Sequence, residues 1–178
     1  SDYTADNMLW GATLRSPHPY ARIISIDISA AIKIDGVETI LLSGDVPGKR
    51  TYGLIAADQP VFASDYVRYM GEPIAAVAAD HPETCRRALD AIVIHYEVMT
   101  PLTSIEDALN PNTPSIHPDG NVFRHQRILH GDANATGDII VEGEYEIGMQ
   151  DQAFLGLEAA LAYPDSDGAG VELVVATQ

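Results

Sequence analysis

The chain has 178 residues, enough for one compact domain or for one domain and part of a second, and its 46% hydrophobic and 20% charged content is that of a folded, soluble protein rather than a disordered one. Twenty-six acidic against ten basic residues give a net charge of −16. Residues 1–89 hold 11 acids and 8 bases, residues 90–178 hold 15 acids and only Arg124 and Arg127, so the second half lacks the cations that nucleic acid or an anionic membrane would need.

From the N-terminus, Leu9–Leu14 and Arg22–Ile28 read as strands joined by the turn Ser16-Pro17-His18-Pro19. Ser29–Ile34 is a short helix candidate stopped at Asp35-Gly36, Val37–Leu42 is a further strand, and Gly44-Asp45-Val46-Pro47-Gly48 is a loop. The longest apolar run lies in Pro73–Ala79, apolar on both faces as a central strand must be and far too short to span a bilayer. The clearest helix follows, with Asp80 as its expected N-cap, Pro82 in its first turn, and Cys85, Ala88, Leu89 and Ile92 on one apolar face. Ile92–Glu97 then returns as a strand, a unit that packs one helix against a sheet. Ser104, three residues before Asp107, predicts the start of another short helix.

Residues 110–121, with three prolines and no periodicity, form the expected linker. Beyond it, Asp138–Ile147 alternates: Val141, Gly143, Tyr145 and Ile147 on one face, Glu142, Glu144 and Glu146 on the other. Leu157–Tyr163 and Val171–Thr177 read as two strands around the turn Pro164-Asp165-Ser166-Asp167-Gly168.

Candidate chemistry is sparse. Gly44–Thr51 has a Gly-Lys pair without the spacing of a phosphate loop. The six histidines (18, 81, 95, 117, 125 and 130) have no i, i+4 pairing, and the single Cys85 excludes a disulfide framework, a zinc cluster and a Cys-ligated iron–sulfur centre. Asp165-Ser166-Asp167-Gly168 lacks the later ligands of a calcium loop. Glu142, Glu144 and Glu146, about 7 Å apart on alternate strand positions, have the spacing of an acid–base pair and equally that of a solvated strand face. No basic n-region or apolar h-region opens the chain, so a cytoplasmic location is expected. From pattern alone, the reading is an acidic α+β protein with no visible catalytic or metal-binding set.

A resemblance goes further. Tyr3-Thr4-Ala5-Asp6, then Leu14-Arg15-Ser16-Pro17-His18-Pro19-Tyr20-Ala21-Arg22-Ile23 and Ile26-Asp27, resembles the opening of the catalytic subunit of molybdenum hydroxylases, the xanthine dehydrogenase and aldehyde oxidase family. Gly36-Val37, Asp45-Val46-Pro47, Gly71-Glu72-Pro73-Ile74-Ala75-Ala76-Val77 and Val93-Ile94-His95-Tyr96-Glu97 continue it in order. The resemblance implies an a/b hammerhead domain, a mixed sheet packed with helices, over residues 1–109, a linker over 110–121, and the N-terminal strands of a truncated molybdopterin-binding domain over 122–178. Within the latter, Gln152-Ala153-Phe154-Leu155-Gly156-Leu157-Glu158 is similar to the family's Q-x-H-x-x-L-E, with Phe154 in place of the His. The family's Gln lies beside the apical oxo ligand of the metal, which makes Gln152 the one cofactor-proximal residue implied here; an amide N–H₂ can donate there without adding charge.

By the same resemblance, the glycine-rich cofactor loops and the catalytic Glu lie beyond residue 178, so no catalytic residue is expected in this chain. The implied activity of the holoenzyme is oxidative hydroxylation of a purine-like heteroaromatic, xanthine or hypoxanthine, with oxygen drawn from water. Molybdenum–molybdopterin serves the full enzyme, with iron–sulfur clusters and FAD on partner domains or subunits. The chain would be inactive alone, and the remainder of the molybdenum subunit would carry the cations that complement its acidic second half. The alternatives are an acidic interaction or scaffold domain that shares only the fold and, third, a small hydrolase using the strand carboxylates.

Overall fold

A computed structural model describes residues 3–177 except 133, 149 and 152–157. These residues gather into two compact units, one spanning Asp6–Phe123 and the other combining Ser1–Ala5 with Arg124–Gln178.

The first unit contains β1 (Trp10–Arg15), β2 (Ala21–Asp27), β3 (Val37–Leu41), the short β4 (Thr51–Tyr52), β5 (Gln59–Pro60) and β6 (Tyr66–Val67), then β7 (Pro73–Ala79), α1 (Pro82–Ala91), β8 (Val93–Val98) and α2 (Ile105–Leu109). One antiparallel sheet has the order β1-β7-β3 and another β6-β2-β8, while β4 and β5 form a separate ribbon. The apolar run of β7 is central, as its two-faced pattern requires: Ile74, Ala75, Val77 and Ala79 are all buried. Val77 and Ala79 join Ile40, Cys85 and Ala88 in one core, whereas Ile74 joins Ala21, Ile23, Ala63 and Val67 in a second. Ile26 and Ile94 pack against both, so the two cores adjoin.

The helix α1 buries Cys85 and Ala88 of the apolar face read from its 3.6-residue period, with Leu89 half-buried and Thr84 buried beside them. Its cap differs from expectation. The N-cap is His81, whose Nδ1 accepts from the Glu83 N–H at 3.1 Å. Asp80 is occupied elsewhere: its N–H donates to the Gly36 carbonyl at 2.9 Å, and its carboxylate lies where a Cβ on Gly36 would fall, 2.5 Å away. Gly36 has φ +90°, so both backbone and packing demand glycine there.

Three further expectations are corrected. The strand after α1 pairs with β2 rather than joining the sheet of β7, so strand, helix and strand connect two sheets instead of returning to one. The helix foreseen over 29–34 shrinks to a 3₁₀ turn at Ala31–Lys33, and the loop at 44–48 begins with another at Ser43–Asp45, where the Asp45 carboxylate accepts from the Leu42 N–H. In both, the hydrophobic spacing is too short to bury an α-helical face. α2 forms as read, with Ser104 Oγ accepting from the Asp107 N–H at 3.0 Å. After it, the Asn121 side chain accepts from the Ile116 N–H and donates to the Ala108 and Pro114 carbonyls.

The second unit holds one antiparallel hairpin, β9 (Ala159–Pro164) with β10 (Val171–Ala176). Its turn is the aspartate-rich one expected, closed by the Gly168 N–H on the Asp165 carbonyl at 3.1 Å. Asp138–Ile147 is not a strand: the described residues there are exposed and take part in no ladder. Alternation supplies a face, but a strand exists only where a second strand accepts and donates its backbone hydrogen bonds.

Candidate functional site

Two of the sequence motifs meet in the first unit. The Arg15 guanidinium donates to the Gly71 carbonyl at 2.9 Å, the Ser16 N–H to the Glu72 carbonyl at 2.9 Å, and the Gly71 N–H back to the Ser16 carbonyl at 2.8 Å. Ser16 Oγ, 3% exposed as a residue, accepts from the His18 N–H. The register of β1 on β7 shifts between Leu14 and Arg15, which lets this double-backbone tie form beyond the regular ladder. Arg-Ser-Pro and Gly-Glu-Pro are therefore halves of one structural clasp.

Glu72 carries the clasp one step further. Although 2% exposed, its carboxylate has a partner, the backbone N–H of Arg68. That contact gives a buried polar group its hydrogen-bond partner, and it fixes the main chain at Arg68. The Arg68 guanidinium lies 5.9 Å from the centroid of the Tyr66 ring, and Tyr66 in turn stacks on Tyr20 at 6.3 Å with an interplanar angle of 25°.

Arg68 lines two cavities. The larger, about 440 Å³, is polar and mixed in charge, with Arg22, Asp58, Ser64 and Asp65 among its walls. The smaller, about 230 Å³, is bounded by Tyr20, Pro101, Leu102, Ile116 and His117. Arg22 is partly engaged by Glu97 at 3.7 Å. No spacing rule points to this cluster, because Tyr20, the pair Tyr66 and Arg68, and His117 come from three separate stretches. The only local hint is the Tyr-Val-Arg-Tyr run at 66–69.

The remaining candidates separate cleanly. Cys85 is buried against α1 and β1, where its Sγ–H donates to the Trp10 carbonyl at 3.0 Å, and burial pushes its thiol pKa up. It is core. In Gly44–Thr51 the Gly44 carbonyl accepts from Arg50 at 3.2 Å, so the backbone offers an acceptor where a phosphate cradle needs donors. Glu142, Glu144 and Glu146 are fully solvated positions, not a paired set. Asp165 is held below the ordinary carboxylate range by the Gly170 N–H, the signature of a closed hairpin turn. Gln152 and Phe154 lie outside the described residues. Among the described residues no group of three or more His, Cys, Asp and Glu could hold a metal ion, and none of the cavity walls described above supplies the amide-rich cradle of a pterin.

The described fold is thus α+β, two three-stranded and two two-stranded antiparallel sheets with two α-helices, and its motif residues serve as clasp and scaffold. Comparison with known proteins agrees. The family model described as aldehyde oxidase and xanthine dehydrogenase, a/b hammerhead domain, matches residues 1–100. The chain is 39% identical over its whole length to the nicotinate dehydrogenase large molybdopterin subunit of Eubacterium barkeri, covering 42% of that protein. It is 36% identical, again over its whole length, to a probable xanthine dehydrogenase subunit of Bacillus subtilis, covering 24% of it. The aldehyde oxidoreductase of Desulfovibrio gigas shares the fold over 97% of the chain and 20% of its own, with a TM-score of 0.73 at 21% identity.

The chain belongs to the aldehyde oxidase and xanthine dehydrogenase family of molybdenum hydroxylases, and residues 1–100 match that family's a/b hammerhead domain. It spans less than half the length of these curated relatives. Among the described residues no helix is long and apolar enough to cross a membrane.

Proposed function

We propose that this chain is the N-terminal part of a cytoplasmic molybdenum hydroxylase subunit that oxidises a purine-like heteroaromatic, xanthine or hypoxanthine, with water as the oxygen source. The observation that carries this reading is the unbroken likeness, at 39% and 36% identity, to the molybdopterin subunit of a nicotinate dehydrogenase and to a probable xanthine dehydrogenase subunit. Both of those proteins are named for nitrogen heteroaromatics, which supports that substrate class.

In this proposal residues 1–109 are the hammerhead domain, 110–121 the connection and 122–178 the first part of the molybdopterin-binding domain. Gln152 stands beside the metal. When bound in the whole enzyme, the molybdenum cofactor would supply the oxygen-transfer and electron-accepting chemistry, with iron–sulfur clusters and FAD on partner domains or subunits as its redox partners. The chain alone is inactive, because its contribution is to shape and scaffold.

The test is co-expression of the full subunit with its partners, followed by molybdenum analysis and assays with xanthine, hypoxanthine and nicotinate in ¹⁸O-labelled water. Stoichiometric molybdenum and label in the hydroxylated purine are expected. Absence of both molybdenum and turnover overturns the enzyme assignment and leaves the scaffold reading, while product oxygen taken from O₂ overturns the water-derived hydroxylation. Turnover of nicotinate but not of either purine overturns the substrate alone. Gln152→Ala should lower turnover about 10–100-fold with molybdenum retained, and unchanged turnover removes Gln152 from the site.

A further inference from the structure

We propose that the smaller cavity of the first unit is a binding site for a small organic acid, a carboxylate carried on a short or flat apolar body. The charge lining argues for an anion. In a chain with 26 acidic residues, this cavity is walled by Arg68, His117 and neutral groups, with no carboxylate among its lining residues. The ion pairs among the described residues are Arg22 with Glu97 and Arg86 with Glu83 and Asp90, which leaves the Arg68 guanidinium without a carboxylate partner. A guanidinium is a planar fork of donors matched to a carboxylate in two-point geometry.

That fork is also held in place. The Glu72 carboxylate anchors the Arg68 main chain from the buried side, and the Tyr66 ring lies beneath the guanidinium with Tyr20 stacked next to it. Leu102 and Ile116 add apolar lining that a bare inorganic anion would leave uncovered.

Size narrows the ligand. About 230 Å³ falls below the roughly 300–1,000 Å³ of drug-sized pockets, which limits the occupant to a molecule of about ten heavy atoms. The neighbouring 440 Å³ cavity shares Arg68 but presents Asp58 and Asp65, so an anion is directed to the smaller one. The site is separate from the molybdenum chemistry proposed above and does not depend on it.

Calorimetric titration of the full chain with sodium benzoate tests the proposal, with benzamide as the uncharged isostere and sodium sulfate as the bare anion. One saturable benzoate site is expected, with neither benzamide nor sulfate competing at equal concentration. Arg68→Met should weaken benzoate about tenfold or more, and His117→Gln about threefold. Leu102→Trp fills the cavity while leaving Arg68 intact, and should abolish binding without changing the circular dichroism spectrum. Absence of saturable benzoate binding overturns the site. So does equal affinity for benzamide, for sulfate, or for benzoate in the Arg68→Met and Leu102→Trp variants.

Discussion

The two units of this chain use apolar residues in opposite ways. In Asp6–Phe123 the runs are matched by partners: Ile74, Val67, Val77 and Cys85 are fully buried, and both cores draw on β7. Beyond Ile92 no described residue is buried, and Ile139, Val141, Tyr145 and Ile147 are each more than 80% exposed. The hairpin β9–β10 shows the same thing on one face, where Val171, Leu173 and Val175 sit opposite Pro164, Ala162 and Ala160 with their side chains in water. A lone two-stranded hairpin is marginal in water, because it encloses nothing. The lesson is that apolar content does not make a core; a second layer to close over it does.

Experiments can break or sharpen this contrast. The largest effect is expected at Cys85. Its buried thiol should react with a disulfide reagent at least about a hundredfold slower in the native chain than in urea, since labelling waits for the first unit to open. Burial raises the thiol pKa, so its contribution to stability is complete below the unfolded value and fades as pH rises through the folded one. Equal labelling rates in the two states would mean that the first unit has no closed core. Next, Ile74→Ala should cost about 2–5 kcal/mol in urea denaturation, whereas Val141→Ala should change stability by less than about 0.5 kcal/mol. Similar losses at both positions would erase the distinction between the units.

Glu72→Gln tests the clasp. The amide can still present an oxygen to the Arg68 N–H, but its buried N–H₂ has no acceptor among the described contacts, so a loss of about 1–3 kcal/mol is expected. An unchanged denaturation midpoint would show that the clasp does not bear on stability. The smallest effect belongs to Ser104→Ala, about 1 kcal/mol of local helix stability, seen as faster amide exchange at α2 without a shift in the main transition.

How much of this was legible beforehand varies with the range of the interaction. The central position of Pro73–Ala79 and the buried face of α1 follow from patterns within ten residues, and the hairpin turn at 164–168 from its own Asp and Gly residues. His81 displaced Asp80 as the cap because Asp80 answers to Gly36, a residue 44 positions away. β8 left the sheet of β7 for β2 for a comparable reason: hydrophobic period states which face is buried but never against which strand. The cluster of Tyr20, Tyr66, Arg68 and His117 has no local signature beyond the Tyr-Val-Arg-Tyr run at 66–69, because Tyr20 and His117 reach it only through the fold.

By itself, then, the sequence determined the family, through ordered motifs that run nearly the whole chain, and it determined the local elements whose period repeats within a turn or a strand. Only the tertiary structure decided that Arg-Ser-Pro and Gly-Glu-Pro form one clasp, that Glu72 holds the Arg68 main chain, and that the acidic alternation at 138–147 has no ladder. The physical reason is that a side chain's pattern records the environment it needs, while the partner that supplies this environment is chosen by chain closure across distances no local period can encode.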